Sequence, residues 1–332
     1  MSNVLKPLKK SQLFWNSIYP VSKFVPLSFF NKVPENIIIE ASAACNLRCP
    51  VCPTHFAMQR IKGFMDLDLY KSIVDDMKDL KKKPLLSFNF AGEPLLNKDI
   101  GKFVAYATKN NHKTFISTNV TMMTRPLAKE LIKSGLASIH LCIDGFTKKS
   151  HEGYRVGSKF EEVKNNIEMF LEERKKLKSS TPHVTIQTLL TSFSESEMDE
   201  ITNWAKEIGA DEVQFKSLSM GSYTTPQMKK QYNYLVPKNP QFQRKTSNTY
   251  HTLCGSPMAQ TVIYWNGDLG LCCIDFDAHL KLTNIKEKGF LKTITSSDIA
   301  KKRKLGFQKQ YKMCKTCSIG NMDSFGKRIK LR

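Results

Sequence analysis

Ile37-Ile38-Ile39-Glu40-Ala41-Ser42-Ala43-Ala44-Cys45-Asn46-Leu47-Arg48-Cys49-Pro50-Val51-Cys52 opens on an apolar run and closes on three cysteines. The isoleucines read as a buried strand. The cysteines follow it directly, on a loop. Spaced this closely, three thiolates can each bind one iron of a cubane. The fourth iron then has no local protein ligand, and an open coordination position is what metal chemistry requires. Zinc is the competing reading. It prefers four ligands, usually two separated pairs. This stretch offers a triplet, with His55 the only extra candidate nearby.

Downstream the chain alternates between two hydrophobic periods. Leu69, Ile73, Met77 and Leu80 mark a helix face that Pro84 stops, and 85–90 reads as the next strand. Ile100, Phe103, Val104 and Ala107 mark a second helix, followed by a strand at 113–118. A helix at 126–134 ends at Gly135, a natural C-terminal cap, before a strand at 138–143. Phe160, Val163, Ile167, Phe170 and Leu171 mark a fourth helix, and 184–190 a fifth strand. Ser194 with Glu197 reads as a capping box for a helix ending at Gly209, and 213–218 is the sixth strand. Such alternation implies a parallel sheet with right-handed crossovers. Six units are too few for an eight-stranded barrel. The expected fold is α/β: a partial (βα)6 TIM-like barrel over 35–218, with a small C-terminal Cys-rich module at 254–320. A basic, aromatic extension at 1–34, a linker at 219–253 and a basic tail at 321–332 complete the division.

The polar motifs fall just past consecutive strands. Gly92-Glu93-Pro94 follows the second, Thr118-Asn119 the third, and Cys142-Ile143-Asp144-Gly145 the fourth. The C-terminal ends of parallel strands are the functional face of a barrel. The CxxxCxxC spacing after a first strand resembles the radical S-adenosylmethionine (SAM) superfamily, and the likeness runs over about 36–218. It implies a 4Fe–4S cluster on Cys45, Cys49 and Cys52, with SAM chelating the open iron. A reduced cluster then cleaves SAM to methionine and a 5′-deoxyadenosyl radical. The resemblance also implies SAM contacts from Gly92, Glu93, Pro94, Asn119, Cys142 and Arg155. Glu93 would meet the SAM amino group and Arg155 the carboxylate. Two positions depart from the family: Val120 stands where a glycine is usual, and Cys142 where serine often is. By itself Cys142 reads as a small buried hydrophobe.

Cys254, Cys272, Cys314 and Cys317 form a second group, with Gly267 five residues before Cys272. Four cysteines in two groups fit zinc or an iron–sulfur cluster, and composition does not decide between them. The pattern resembles the twitch or shortened SPASM extension of radical SAM enzymes. That resemblance implies an auxiliary 4Fe–4S cluster, two clusters in all. Cys273 is a spare, read as a packing residue or a substitute for Cys272.

No apolar run approaches a membrane span, and no secretory pattern follows Lys6, Lys9 and Lys10, so the expected compartment is the cytoplasm. Residues 1–34 carry aromatics and lysines that suit a membrane surface or packing on the main domain. The net charge of +21 favours anionic partners. The lysines are spread along the chain, which equally fits a solvated surface. Two partners suit the charge: an anionic small-molecule or carrier-linked substrate, and an acidic flavodoxin or ferredoxin-type donor. Three functions compete. The favoured one is oxidation of a sugar or cyclitol alcohol, with Lys216, Asp275 and Asp277 as candidate bases for the hydroxyl proton. The second is peptide maturation, of the kind that forms thioethers or oxidises serine. The third is a zinc-bearing nucleic-acid-binding protein, which the charge permits and the strand-end motifs do not require.

Overall fold

The computed structural model describes residues 17, 19–221, 223–246, 252–315, 317, 322–323 and 325–332. Lys6, Lys9, Lys10, Phe14 and Trp15 lie outside the described residues. Six parallel strands form the centre: β1 (Asn36–Ile39), β2 (Leu85–Phe88), β3 (Thr114–Thr118), β4 (Ser138–Cys142), β5 (His183–Leu190) and β6 (Glu212–Ser217). The crossover helices are α1 (Leu67–Asp76), α2 (Ile100–Lys109), α3 (Arg125–Lys133), α4 (Phe160–Lys176) and α5 (Met198–Glu207). Where a sixth crossover helix would follow β6, the described residues hold a short helix, Pro226–Gln231, and a 3-10 turn, Asn233–Leu235. This is the partial (βα)6 barrel that the alternation implies.

Local chemistry explains these elements. Asp66 caps α1 by accepting from the Asp68 and Leu69 amides, and Thr124 caps α3 through Leu127 N. On the helix side, Ile37, Ile39, Leu86, Ile116, Ile139, Leu141, Ile186, Val213 and Phe215 are buried against the helices' apolar stripes. Strand alternation then turns Ser117, His140, Cys142, Gln187 and Gln214 to the opposite face, the lumen.

One local expectation fails. No capping box forms at Ser194 and Glu197. Ser194 Oγ instead accepts from Thr191 N at 3.1 Å, and Glu197 reaches across to accept from Phe146 N at 2.7 Å. A tertiary amide has taken the carboxylate that the local motif would use.

The sheet grows beyond the barrel on both edges. β7 (Gln260–Ile263) pairs parallel to β1, and β8 (Asp268–Gly270) and β9 (Lys281–Asn284) extend it antiparallel. At the other edge the expected basic tail is a strand, β10 (Gly326–Lys330), antiparallel to β6. The order is therefore β9-β8-β7-β1-β2-β3-β4-β5-β6-β10 in one ten-stranded sheet. The described part of the N-terminal extension docks on a helix of the C-terminal module, α6 (Ser297–Phe307). Arg303, fully buried there, donates to Phe30 O at 2.7 Å, Lys32 O at 2.6 Å and Pro257 O at 2.7 Å. Among the described residues no helix is long and apolar enough to cross a membrane.

Candidate active site and cysteine centres

The loop after β1 is fixed by its neighbours before any cofactor is considered. Gly92 lies at φ +79°, and a Cβ there would stand 2.3 Å from Ser42 O and 2.6 Å from Ala44 O. Only glycine allows this approach. It lets Glu93 N donate to Ala44 O at 2.8 Å, so the loop after β2 clamps the cysteine loop. Cys45, Cys49 and Cys52 then line one cavity of about 180 Å³ with Gly92, Glu93, Asn119, Cys142 and Arg155. Pro94 is buried at the start of the turn that follows Glu93.

The carboxylate of Glu93 is 2% exposed and held from three sides. Oε1 accepts from Thr118 Oγ1 at 2.7 Å and Leu95 N at 3.0 Å, and Oε2 accepts from Asn119 N at 2.8 Å. Burial still raises its pKa, against those hydrogen bonds. Asn119 Nδ2 donates to Asn46 Oδ1 at 3.1 Å and approaches Cys45 Sγ at 3.9 Å. The next residue, Val120, sits at φ +69°, where a β-branched side chain is strained. The departure from glycine therefore keeps the backbone turn at a conformational cost.

Arg155 is tied through Nε to Asp144, which is fully buried and also accepts from Leu189 N at 2.7 Å. Its two Nη groups make no hydrogen bond among the described residues, leaving one edge of the guanidinium for an incoming carboxylate. Behind it, His151 Nδ1 faces Asp144 N at 3.3 Å and Nε2 faces Ser158 Oγ at 3.0 Å. An amide donor requires Nδ1 unprotonated, so the ring proton is on Nε2. Cys142 is buried, with Gln187 Nε2 at 3.4 Å and Ser117 Oγ at 3.6 Å from its sulfur. It both packs and faces the cavity. Sequence reasoning missed Ser117 and Gln187; period-2 alternation from Cys142 across the register would have found them.

The residues fit a cluster and SAM. Burial pushes the Cys49 thiol up to about 12 and raises Cys45. Thiolates are stable in such a pocket only beside a compensating cation, which iron supplies. No group of three or more His, Cys, Asp or Glu among the described residues converges as the ligands of a single ion would. A cubane distributes its thiolates over separate irons and needs no such convergence.

Cys254, Cys272, Cys314 and Cys317 also come together. With Cys273 they line a second, largely apolar cavity of about 90 Å³, walled by Leu271, Ile274, Leu280 and Met313. The Lys309 ammonium lies in the field of Cys254, Cys314 and Cys317. An anionic thiolate cluster fits that charge. Cys273, read as a spare, stands in the same wall, held by Gln260 Nε2 at 2.9 Å. A third cavity of about 270 Å³ is bounded by Ala57, Tyr223, Asp275, Phe276, Asp277 and His279, and by Ile274 and Met313 of the second.

The three proposed bases separate by geometry. Asp275 accepts from His279 N at 2.9 Å and Leu280 N at 2.5 Å, one on each oxygen. Asp277 uses Oδ1 for the Gln59 and Arg60 amides, both at 2.7 Å, and Oδ2 stands 3.9 Å from His279 Nε2. Lys216 donates to Gln187 Oε1 at 2.7 Å.

A partial parallel barrel with a cysteine triplet past its first strand, and a cysteine-lined module joined to its edge, defines a SAM-cleaving iron–sulfur enzyme. Residues 39–205 match the family profile of the radical SAM superfamily, and 254–318 that of the SPASM iron–sulfur cluster-binding domain. The chain belongs to the radical SAM superfamily, and its cofactors are SAM and 4Fe–4S clusters. It is 26% identical to an AdoMet-dependent heme synthase of Methanosarcina barkeri over 178 residues, 53% of this chain and 48% of that protein. It is 31% identical to the S-adenosyl-L-methionine-dependent 2-deoxy-scyllo-inosamine dehydrogenase of Niallia circulans over 108 residues, 32% of this chain and 43% of that one. The chain thus spans about half the length, or less, of these relatives. Among solved structures, BtrN in complex with AdoMet and 2-DOIA superposes with a TM-score of 0.55 at 18% identity, covering 86% of this chain and 93% of that one. Streptococcus suis SuiB bound to precursor peptide SuiA gives 0.62 at 17% identity, covering 95% and 76%. At these identities the superpositions speak for the fold.

Proposed function

We propose that the chain is a radical SAM oxidoreductase that oxidises an alcohol of a sugar or cyclitol to a carbonyl. One observation carries this reading. The 270 Å³ cavity is bounded by Ala57, five residues past Cys52, and by Ile274 and Met313 of the second cysteine wall. In this reading a substrate bound there is presented to both centres. The similarity to a cyclitol dehydrogenase, over about a third of this chain, supports the substrate class.

In this reading Cys45, Cys49 and Cys52 hold the first cluster, and Cys254, Cys272, Cys314 and Cys317 the auxiliary one. Glu93, fixed by Gly92, Pro94 and Asn119, takes the SAM amino group. Arg155 takes the carboxylate, and Cys142 closes the wall. What the bound groups supply is removal of a hydrogen atom from the carbinol carbon and of one electron from the resulting radical. The chain's own part is the hydroxyl proton. Asp277 is the acceptor that fits. It lines the cavity, and only one of its oxygens is committed to backbone amides. Both oxygens of Asp275 are already hydrogen-bonded to amides. The electron donor is an acidic flavodoxin or ferredoxin-type protein, and the compartment the cytoplasm.

Peptide maturation is the second reading, favoured by the superposition on a peptide-bound structure over nearly the whole chain. Polyols deuterated at the carbinol carbon separate the two. Deuterium should appear in 5′-deoxyadenosine with wild-type protein. Asp277→Asn should lower product formation at least about a hundredfold, the low end of lost general-base catalysis. Transfer from peptide Cα or Cβ positions, with none from any polyol, refutes the alcohol reading.

A further inference from the structure

We propose that Lys216, Arg244 and Arg328 form a receptor for an anionic group of the substrate, a phosphate or a carboxylate. It lies on the lumen wall beside the cysteine-triplet cavity. The inference rests on the small-molecule reading above and adds to it where the substrate is gripped.

Antiparallel pairing sets Arg328 beside Gln214 and Gly326 beside Lys216, so Arg328 shares the lumen face with residues 212, 214 and 216. Lys216 Nζ donates to Gln187 Oε1 at 2.7 Å, and Gln187 itself lines the triplet cavity. The ammonium is therefore one side chain away from the candidate reaction centre. In the amide orientation that satisfies its neighbours, Gln214 donates to the same Gln187 oxygen at 3.2 Å. It also accepts from Arg328 Nη2 at 2.9 Å and Nε at 2.8 Å. Arg328 Nη1 reaches Glu212 at 3.1 Å. Arg244 donates through Nη1 to Ser219 Oγ at 3.0 Å, while its buried Nε has no acceptor among the described residues. Its field reaches both Lys216 and Tyr223, and Tyr223 in turn feels Cys52.

Three cations thus surround this wall. Glu212 balances one of them, and neither Lys216 nor Arg244 has a carboxylate partner among the described residues. His140 adds nothing to the charge. Burial first, then the neighbouring cations, lower its pKa to about 4, so it is neutral at pH 7. Like charges held together and a buried donor without an acceptor are costly unless a ligand completes them. Burial first, then Arg328 and Arg244, depress the Lys216 ammonium. A bound anion would reverse that. Lys216 is solvent-accessible, so the site is open to a ligand.

The test is calorimetric titration of inorganic phosphate, and separately of acetate, into reconstituted, SAM-loaded protein at low ionic strength. Saturable binding is expected in the wild type. It should weaken at least about tenfold in Lys216→Met, the range of one charge-assisted hydrogen bond. It should stay within about threefold in Lys216→Arg and be unchanged in Lys327→Met, whose side chain lies on the other face of β10. Tighter phosphate than acetate assigns a phosphorylated substrate, and the reverse a carboxylate. Equal binding by wild type and Lys216→Met overturns the proposal, as does no saturation by either anion. So does abolition of binding by SAM, which would make the site part of the SAM pocket. Wild type that releases no 5′-deoxyadenosine on reduction sinks the catalytic reading alone and leaves the anion result standing.

Discussion

Glu93→Gln is the substitution whose consequences the structure defines most closely. Glutamine has the shape of glutamate, so packing is kept. The hydrogen-bond inventory is not. Glu93 is acceptor-only and faces two backbone donors, Leu95 N on one oxygen and Asn119 N on the other. A carboxamide has one oxygen and one NH2. Whichever way it turns, one buried amide N–H meets another donor. The Thr118 hydroxyl can rotate, but the amides cannot. An unsatisfied buried donor costs roughly 1–3 kcal/mol. Loss of the charged acceptor toward the SAM amino group costs a further ~1.5–3 kcal/mol in binding, about ten- to a hundredfold in Kd. The assays are equilibrium SAM binding by anaerobic calorimetry, beside iron content and a thermal melt. SAM affinity within twofold of wild type, at full iron loading, would refute the assignment of Glu93 to the amino group. A lowered melting point with normal affinity would leave only its structural role.

Anaerobically reconstituted protein should carry about eight iron and eight sulfide, from two cubanes, and stoichiometric zinc with little iron would contradict this. Cys314→Ala with Cys317→Ala should remove about half the iron while reductive SAM cleavage persists and product formation falls; full turnover in a well-folded double variant would end the electron-transfer role. His151 is held neutral, its pKa lowered by burial to about 4, so the native state binds fewer protons than the unfolded chain once the pH drops below about 6.5. Its stabilising contribution is complete above that value and is lost on acidification toward pH 4, at most about 3 kcal/mol; His151→Gln should flatten the decline seen by denaturant titration between pH 7 and pH 4.5. Arg303→Met should destabilise by ~2–4 kcal/mol, because the carbonyls of Phe30, Lys32 and Pro257 lose a common donor; an unchanged melting curve would show that the N-terminal segment docks without it.

The sequence alone determined the barrel and the end of its sheet at which the polar motifs gather. Hydrophobic period separates strand from helix locally, because burial of one face is a local pattern, so the six units were legible from Ile37 to Leu218. Motifs just past the strands at Cys45, Gly92, Asn119 and Cys142 had to converge, because parallel strands end on one face. Tertiary structure decided what depends on contacts between distant segments. The basic tail becomes β10 because Gly326–Lys330 finds the open edge of β6, and no periodicity within five residues announces a partner more than a hundred positions away. Glu197 is a local capping signal that Phe146 N claims instead. The hold of Leu189 N on Asp144 and the gathering of Lys216 with Arg328 and Arg244 follow from register and crossover. These are properties of how strands lie side by side, and only the assembled sheet fixes them.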